Sequence, residues 1–473
     1  MKQLSTKPQL IILTAILAVG LFLRLWEIDR QSLWYDELHS IIPTDPANSM
    51  LSVIEYCKND QPPAFFLMLY SWYNVFPYNE ASGKVLCAII GVLGIVSMYF
   101  LGKEVGGKNV GVAVSFLTAG NIFHVYYSQE LRFYGLLFLM TCLSFLFFIR
   151  FIKSPTIRNQ LFFAITTTIL LYTHYFGLVV TLTQAIIFVI IALVYRKGVR
   201  FFLKGLACAA IVFLAFLPWI PTVMNDLQIE SFWAHDSSPL FIREYFRRYF
   251  SGWWVFRFNN ILLWTLHLVL LYYFWTLVWK AKKKQSIEVD HFVLIGWGVL
   301  TLLIPYLYTV YRMSILVDRY TIITLPAILL GIAMGWVYIE KVYLKILIVL
   351  IFVVSDFRIH HRYFYGFKKV EYRELAFHIV EENKACYPVL SQYAWHFNYF
   401  FKKYNAGCEV EHLIKLSEPG WVDNKEKIWI IAPQVHLLGG QAEILNASFQ
   451  VEKELQQYEC NAVLYARKHI DKK

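Results

Sequence analysis

Residues 10–25 read LIILTAILAVGLFLRL, and the segment SLWYDELH follows at residues 32–39. An apolar run of this length predicts a helix that crosses a membrane, because about 20 apolar residues span the hydrocarbon core. Lysines at positions 2 and 7 precede the run, but no small-residue cleavage pattern follows it, which indicates a retained anchor rather than a signal peptide. Similar runs recur along most of the chain, so the sequence predicts a polytopic α-helical membrane protein.

The composition supports this interpretation and excludes other classes of protein. Of 473 residues, 58% are hydrophobic and only 16% are charged, whereas an ordinary soluble domain carries about 25% charge. The net charge of +11 is spread over short basic clusters between the apolar runs, which is a topology signal and not a surface for nucleic acid. A water-soluble globule, a disordered chain and a small disulfide-rich protein are therefore excluded.

Counting each apolar run as one crossing predicts about eleven transmembrane helices. With the N-terminus in the cytoplasm, every basic cluster falls on the cytoplasmic side, and a first loop at 27–82 lies outside. The stretch 161–195 is too long for one pass and is read as two short helices hinged at 172–177. The segment 63–76 is too short to cross and is placed flat at the interface. The predicted spans are residues 9–26, 83–102, 109–127, 133–152, 160–174, 176–195, 203–221, 259–279, 291–310, 320–338 and 342–357.

The sequence predicts two domains. Residues 1–357 form the transmembrane domain, whose first outer loop at 27–82 carries helices next to the membrane, and residues 358–473 form a small extracytoplasmic α/β domain. Within that tail a helical pattern and three β-type runs are predicted at residues 372–382, 387–390, 428–431 and 462–465. Three of the seven cysteines lie there and are candidates for a disulfide bridge: Cys386, Cys408 and Cys460.

The chain carries none of the motifs typical of nucleotide-dependent enzymes or hydrolases. Its ionisable residues gather at the outer ends of spans, where charge is costly unless it is used or paired. Asp36 and His39 share one face of a predicted short helix, whereas Glu37 points about 100° away; an N-terminal helix cap with solvated acids is the alternative. Asp60 and Gln61 precede a proline pair that would hold Asp60 near the membrane surface.

Further polar side chains lie at the outer ends of later spans. Arg132 follows Glu130 in a tight turn, and Arg319 precedes Tyr320 at the start of another span. Either guanidinium group could hold a phosphate, and snorkelling to lipid headgroups is the alternative. His174 in the predicted hinge is a candidate metal ligand or hydrogen-bond donor, with a structural role as the alternative.

All these groups come out on one side of the bilayer in the predicted topology. A carboxylate that accepts a proton and cations that hold a phosphate suit transfer of a group from a phosphate-linked donor. Soluble nucleotide sugars are not normally present outside the cytoplasm, which favours a donor carried on a lipid.

The motifs occur in an order that resembles the order in a known protein family. In sequence they are Leu23-Arg24-Leu25, Ser32-Leu33-Trp34-Tyr35-Asp36-Glu37, Gln61-Pro62-Pro63, Ser128-Gln129-Glu130-Leu131-Arg132-Phe133-Tyr134, Thr173-His174-Tyr175 and Arg319-Tyr320. Over about residues 9–340 the chain resembles the GT-C membrane glycosyltransferases of the protein mannosyltransferase type, glycosyltransferase family 39. The resemblance implies inverting transfer of a sugar from a polyprenyl-phosphate carrier to an acceptor at the outer membrane face.

The resemblance also implies roles for the matched residues. Asp36, in an acidic pair with Glu37, is the expected catalytic base, and Arg132 or Arg319 stabilises the departing lipid phosphate. Glu37 and Asp60 orient the acceptor or support a divalent metal ion, for which Glu37, Asp60 and His174 are the candidate ligands. The residues expected to bind substrate are His39, Asp60, Gln61, Glu130, Arg132, Tyr134, His174, Tyr175, Arg319 and Tyr320.

One position departs from the family pattern. Related aminoarabinose transferases carry an acidic-basic pair before the two prolines, whereas this chain has Asp60-Gln61. The expected phosphate contact therefore shifts to Arg132 and Arg319. The metal stays open, because some relatives bind a divalent ion and others work without one.

The sequence leaves the sugar and the acceptor open, and the acceptor is a glycan, a lipid or a protein hydroxyl. The compact loops favour a bacterial plasma membrane, with the active site and the tail outside. A transporter or flippase of a lipid-linked or anionic substrate is the alternative function. Transporters usually show inverted repeats and interrupted midplane helices, whereas the ionisable residues here cluster away from the membrane centre.

Overall fold

The computed structural model describes residues 6–228, 240–253, 257–366, 368–431 and 439–468. The chain divides into two compact units. The first comprises residues 1–28 and 46–365, and the second comprises residues 29–45 and 366–473. The segment 29–45, which carries the predicted acidic pair, is thus grouped with the C-terminal tail.

The elements follow one another in a mainly helical order. The α-helices are α1 Thr6–Leu25, α2 Tyr35–Ile41, α3 Met50–Cys57, α4 Ala64–Tyr73, α5 Glu80–Gly106, α6 Lys108–Gly120, α7 Ile122–Gln129, α8 Tyr134–Lys153, α9 Ile157–Leu171, α10 Phe176–Val194, α11 Val199–Phe216, α12 Ile220–Asp226, α13 Phe241–Ser251, α14 Arg257–Lys282, α15 Val289–Tyr311, α16 Leu325–Tyr338, α17 Val342–Gly366, α18 Tyr372–Glu382, α19 Ala394–Lys403 and α20 Gly439–Ser448. The strands are β1 Val389–Ser391, β2 Val410–His412, β3 Lys427–Ile431, β4 Phe449–Gln457 and β5 Cys460–Arg467.

Helices that can cross a bilayer dominate the first unit. Among the described residues, seven helices are long and apolar enough, or up to eight if the bent pair α6 and α7 makes one span. The helices α4, α9 and α16 are apolar but shorter. Each predicted span coincides with a helix, and the break between α9 and α10 falls in the predicted hinge. The chain is a polytopic integral membrane protein, as predicted, but the number of eleven crossings is not confirmed.

Two predicted spans differ in shape from a single straight helix. The segment 109–127 is broken at Asn121, where the chain bends by 59°, because Asn121 takes an extended conformation and its Oδ1 accepts the His124 N–H, as an N-cap does. The segment 320–338 starts with a 3₁₀ turn at Asp318–Ile323, and α16 begins only at Leu325, with proline at the next position. Proline favours the first turn of a helix.

The second unit contains a five-stranded mixed sheet in the order β2-β1-β3-β5-β4. The three inner strands β1, β3 and β5 lie where the sequence predicts β-type runs, and α18 has the predicted bounds. The edge strands β2 and β4 were not predicted. Strand β4 is exposed along most of its length, so it lacks the apolar alternation that identifies a half-buried strand.

Candidate functional site

The turn between α7 and α8 is anchored by Gln129 at the end of α7. Its amide Nε2 donates to the carbonyl oxygens of Arg24 and Trp26, at 3.1 and 2.9 Å. Its Oε1 accepts the Tyr363 hydroxyl at 2.7 Å. The residues that follow Gln129 therefore start from a fixed position at the ends of α1 and α17.

Arg132, in that turn, is 6% exposed and faces a carboxylate from a different loop. Its Nη1 lies 3.9 Å from Oδ2 of Asp60, and its guanidinium carbon lies 4.6 Å from the centre of the Phe133 ring. The loop that carries Asp60 is held in turn, because the Ala64 N–H donates to the Tyr172 carbonyl at 2.8 Å. Residues predicted from separate motifs thus meet in one place.

His174 lies in the turn between α9 and α10 and is 3% exposed. Its ring centre is 4.7 Å from that of Phe133 and 4.8 Å from that of Tyr320. Its Nδ1 accepts the Phe176 N–H at 3.0 Å, so a neutral imidazole carries its proton on Nε2. Among the described residues, Nε2 has no hydrogen-bond partner.

The charge around His174 is positive. Burial, together with the charges of Arg132 and Arg319, lowers the pKa of His174 to about 3. The imidazole is therefore neutral at physiological pH. Its Nε2–H is a donor that an incoming anion can use.

Arg319 lies beside two aromatic rings that the sequence also singles out. Its guanidinium carbon is 5.6 Å from the centre of the Tyr320 ring and 6.0 Å from that of Tyr134. The preceding Asp318 is held by Arg248 on α13, whose Nη1 lies 2.6 Å from Oδ2. Arg248 was not predicted, because it lies in an amphipathic helix where arginines look like ordinary surface residues.

The remaining predicted residues of the first unit have varied surroundings. Glu130 is 1% exposed, and its carbonyl accepts the Arg132 N–H at 2.7 Å. The Tyr175 hydroxyl donates to the carboxylate of Asp226, a partner that the sequence did not indicate. Gln61 has a buried Oε1 that finds no hydrogen-bond partner within the described part of the chain.

The first unit therefore contains a largely buried, aromatic-lined group that includes two guanidinium groups, one carboxylate and a neutral imidazole. Its members are Asp60, Arg132, Phe133, Tyr134, His174, Arg319 and Tyr320. Guanidinium groups bind phosphate through paired N–H donors, and aromatic rings exclude water, which strengthens that attraction. This arrangement suits a phosphate attached to an apolar carrier. We name it the arginine cluster.

The second unit holds the other predicted residues, on and near α2. Asp36 is partly exposed at the second position of this helix. Glu37 is fully buried, and its Oε2 accepts Lys369 Nζ at 3.0 Å and the Trp34 N–H at 3.3 Å. Glu37 thus forms the ion pair with Lys369 and caps the start of α2, whereas Asp36 is partly exposed to solvent.

His39 lies in an aromatic group formed by α2 and α19. Its ring centre is 4.8 Å from that of Tyr35, 4.9 Å from that of His396 and 5.3 Å from that of Trp395. Burial and the neighbouring His39 together lower the pKa of His396 to about 3. His396 is therefore uncharged at neutral pH and packs as a neutral aromatic ring.

The candidate metal ligands do not assemble into a metal site. Across the described ranges, no three His, Cys, Asp or Glu side chains are grouped so that they could hold an ion. Oε2 of Glu37 is engaged by Lys369, and Asp60 faces the guanidinium of Arg132, an arrangement that repels a second cation. His174 could supply only Nε2, since Nδ1 accepts a backbone N–H.

Arg24 on α1 binds the C-terminal end of α6, a role that sequence reasoning did not assign. It is fully buried, and its guanidinium donates to the carbonyls of Thr118 and Ala119 at 3.2 and 3.1 Å. A nitrogen of the same group lies 2.6 Å from Nδ1 of His124. A charged residue inside an apolar run was the available signal.

Comparison with known proteins supplies one family match. Residues 60–221 match the family model described as dolichyl-phosphate-mannose-protein mannosyltransferase. No curated protein sequence matches the chain significantly. The matched segment includes Asp60, Arg132 and His174 but not Asp36 or Arg319.

Solved structures match nearly the whole chain. ArnT from Cupriavidus metallidurans bound to undecaprenyl phosphate aligns with a TM-score of 0.62 and 10% identity, over 98% of this chain and 99% of that one. The apo state of the same protein aligns with a TM-score of 0.63 and 13% identity, over 96% of this chain and 97% of that one. A third match is the archaeal oligosaccharyltransferase AglB from Archaeoglobus fulgidus, in complex with an inhibitory peptide and a dolichol-phosphate. It aligns with a TM-score of 0.57 and 11% identity, over 89% of this chain and 69% of that one.

At these identities the structural likeness establishes the fold and not the activity. The chain has the fold of ArnT and AglB and a central segment that matches the protein mannosyltransferase family model, so the resemblance to GT-C membrane glycosyltransferases is confirmed.

Proposed function

We propose that this protein is an inverting glycosyltransferase that moves a sugar from a polyprenyl-phosphate donor to an acceptor at the outer face of a bacterial plasma membrane. The observation that carries the proposal is the arginine cluster, in which Arg132 and Arg319 meet buried aromatic rings within the membrane unit. Two structures with the same fold were solved with lipid phosphates, undecaprenyl phosphate in ArnT and a dolichol-phosphate in AglB.

The reaction requires one proton transfer and one exchange of bonds at the anomeric carbon. The Asp36 carboxylate takes the proton of the acceptor hydroxyl as that oxygen attacks the anomeric carbon. The bond from this carbon to the phosphate oxygen breaks, and the electron pair stays on the lipid phosphate. Attack opposite the leaving group inverts the anomeric configuration.

The arginine cluster stabilises the leaving group. The added negative charge on the lipid phosphate is met by Arg132 and Arg319 in a site with little water, where such contacts are strongest. The Nε2–H of neutral His174 adds an uncharged donor. Asp60 orients Arg132 through their ion pair. The acceptor remains a glycan, a lipid or a protein hydroxyl.

The test of the base is turnover of a labelled polyprenyl-phosphate sugar by the full-length protein in nanodiscs. We expect Asp36→Asn to lose about two or more orders of magnitude in rate, because general-base catalysis contributes 10²–10⁴-fold. Asp45→Asn is the matched control, since Asp45 lies in the same segment and its carboxylate lies 3.5 Å from Nζ of the exposed Lys402. Undiminished turnover by Asp36→Asn would remove Asp36 from the base role.

Donor affinity tests the arginine cluster separately. Arg132→Ala should weaken binding of the polyprenyl phosphate itself by about tenfold or more, because a charge-assisted hydrogen bond contributes about 1.5–3 kcal/mol. Arg158→Ala is the control, because Arg158 is exposed on α9. Equal affinity of wild type and Arg132→Ala for the lipid phosphate would contradict the assignment and favour snorkelling.

A further inference from the structure

The C-terminal unit contains three cysteines, and their surroundings differ. Cys386 is exposed, Cys408 is half-buried and Cys460 is buried, and all three are thiols in this structure. The sequence alone gives no preference among the three pairings. The sheet order and the local contacts distinguish them.

Cys386 and Cys408 precede two neighbouring parallel strands. Strand β1 pairs with β2 so that Val389 lies opposite Val410, and the chain enters both strands from the same end. Cys386 lies three residues before Val389, and Cys408 lies two residues before Val410. The two thiols therefore start on the same edge of the sheet.

Local contacts bring the two sulfur atoms together. Sγ of Cys386 lies only 2.9 Å from the position that a Cβ on Gly407 would occupy, next to Cys408 in the chain. Asn383 holds both residues, because its carbonyl accepts the Cys386 N–H at 3.0 Å and its Nδ2 donates to Sγ of Cys408 at 3.6 Å. The Cys386 and Cys408 thiols are therefore neighbours.

Cys460 is excluded as a partner by the sheet order. It begins β5, and β3 lies between β5 and β1. Adjacent strands are about 4.8 Å apart, so two steps across the sheet separate backbones by about 10 Å. A disulfide needs Cα atoms closer than about 7 Å.

We propose that Cys386 and Cys408 form an intramolecular disulfide in the native protein. The two thiols lose two protons and two electrons to form the S–S bond, and the disulfide of a thiol–disulfide oxidoreductase in an oxidising compartment is reduced to two thiols. Cys386 is the exposed partner and meets the oxidant first. Burial and the adjacent Cys386 thiol raise the pKa of Cys408 to about 11, so Cys408 follows as the resolving thiol.

The bridge would constrain the segment between β1 and β2. That segment includes α19, which carries Trp395 and His396 against the rings of α2. A cross-link that closes this loop restricts the unfolded chain and so stabilises the unit. The proposal does not depend on glycosyl transfer.

The test is differential alkylation of the full-length protein, trapped in intact cells. Cells are quenched in acid, denatured and treated with N-ethylmaleimide, and the protein is then reduced and treated with the deuterated reagent. We expect Cys460 to carry the first label, Cys386 and Cys408 to carry only the second, and the unreduced digest to contain the 386–408 linked peptide. First-label modification of Cys386 and Cys408 equal to that of Cys460 would overturn the proposal, and so would a linked peptide that contains Cys460.

Two variants check the pairing without depending on activity. Cys386→Ser should expose Cys408 to the first label, whereas Cys460→Ser should leave the 386–408 peptide unchanged. Dithiothreitol should lower the thermal unfolding temperature of the wild-type protein but not that of Cys386→Ser. Retention of an oxidised Cys408 in Cys386→Ser would assign its partner elsewhere and overturn the pairing.

Discussion

Two adjacent carboxylates, Asp36 and Glu37, have opposite surroundings. Glu37 is completely buried and bound to Lys369 and to the backbone at the start of α2. Asp36 is partly exposed one position earlier. Helical geometry separates neighbouring side chains by about 100°, so Glu37 is buried inside the unit and Asp36 is partly exposed to solvent. We therefore propose Asp36 alone as the base, with a positioning role for Glu37.

This assignment predicts that the two acids fail differently when mutated. Glu37→Gln should remove the buried carboxylate that Lys369 Nζ contacts at 3.0 Å and destabilise the protein by about 3–5 kcal/mol, as breaking a buried ion pair does. The thermal unfolding temperature in detergent should fall for Glu37→Gln and stay near wild type for Asp36→Asn.

A double variant separates charge from packing. Glu37→Gln combined with Lys369→Met removes both charges and should recover most of the lost stability. An unfolding temperature of Glu37→Gln equal to that of wild type would contradict a structural role for Glu37 and return it to the catalytic acids.

The basic partner of Asp60 comes from a distant part of the sequence and not from the next residue. The sequence has Gln61 where related aminoarabinose transferases carry a cation, which suggested that this loop had lost its phosphate contact. In the structure Arg132 reaches Asp60 from another turn, at 3.9 Å. The acid still has a basic partner, but it is distant in sequence.

Among the helices, the break between α6 and α7 needs hydrogen-bond donors at the end of α6. A helix that stops inside a membrane protein leaves carbonyl groups without intrahelical donors. Arg24 donates to the Ala119 carbonyl, and it shares the Thr118 carbonyl with the Asn121 N–H, which lies 3.4 Å away. Gly91 makes room for this contact, since a Cβ there would lie 3.0 Å from Nε of Arg24 and 2.3 Å from Oγ of Ser128.

Replacing Arg24 should therefore weaken the break itself. Arg24→Leu removes the guanidinium donor from both carbonyls, and loss of the donor to the Ala119 carbonyl alone costs about 1–3 kcal/mol. We expect a lower unfolding temperature, which can be measured by tryptophan fluorescence of the detergent-solubilised protein. Arg24→Lys keeps the charge but not the planar fork and should be intermediate.

The control for this variant is another arginine in the same unit. Arg158→Leu removes an exposed side chain at the start of α9 and should change stability little. If Arg24→Leu unfolded at the wild-type temperature, the broken helix would not depend on this guanidinium group.

At the scale of the whole molecule, the basic clusters predict how the chain sits in the membrane. Lysine and arginine are retained on the cytoplasmic side of short loops, which predicts that Lys282, Lys283 and Lys284 face the cytoplasm and that the C-terminal unit lies outside. A membrane-impermeant amine reagent added to intact spheroplasts should label Lys384 and Lys402, whose side chains are 67% and 80% exposed. The 282–284 cluster should react only after lysis, and the reverse order would place the C-terminal unit in the cytoplasm.

Features that depend on local composition can be predicted from the amino-acid sequence. Apolar runs of bilayer length predict membrane helices wherever they occur, because burial of apolar residues in lipid needs no particular neighbour. The same holds for α18 and the three inner strands of the sheet, whose patterns are complete within a few residues. The order of short motifs was sufficient for the resemblance that the fold comparison confirmed.

The contacts between side chains, in contrast, depend on the folded chain. The members of each pair are separated in sequence but close in space: Asp60 and Arg132, Arg248 and Asp318, and Cys386 and Cys408. The break at Asn121 also escaped prediction, because an apolar run reads the same whether the helix is straight or bent. Charged groups and thiols pair only when they are close in space, and the distance between two residues that are far apart in the sequence is known only once the chain has folded.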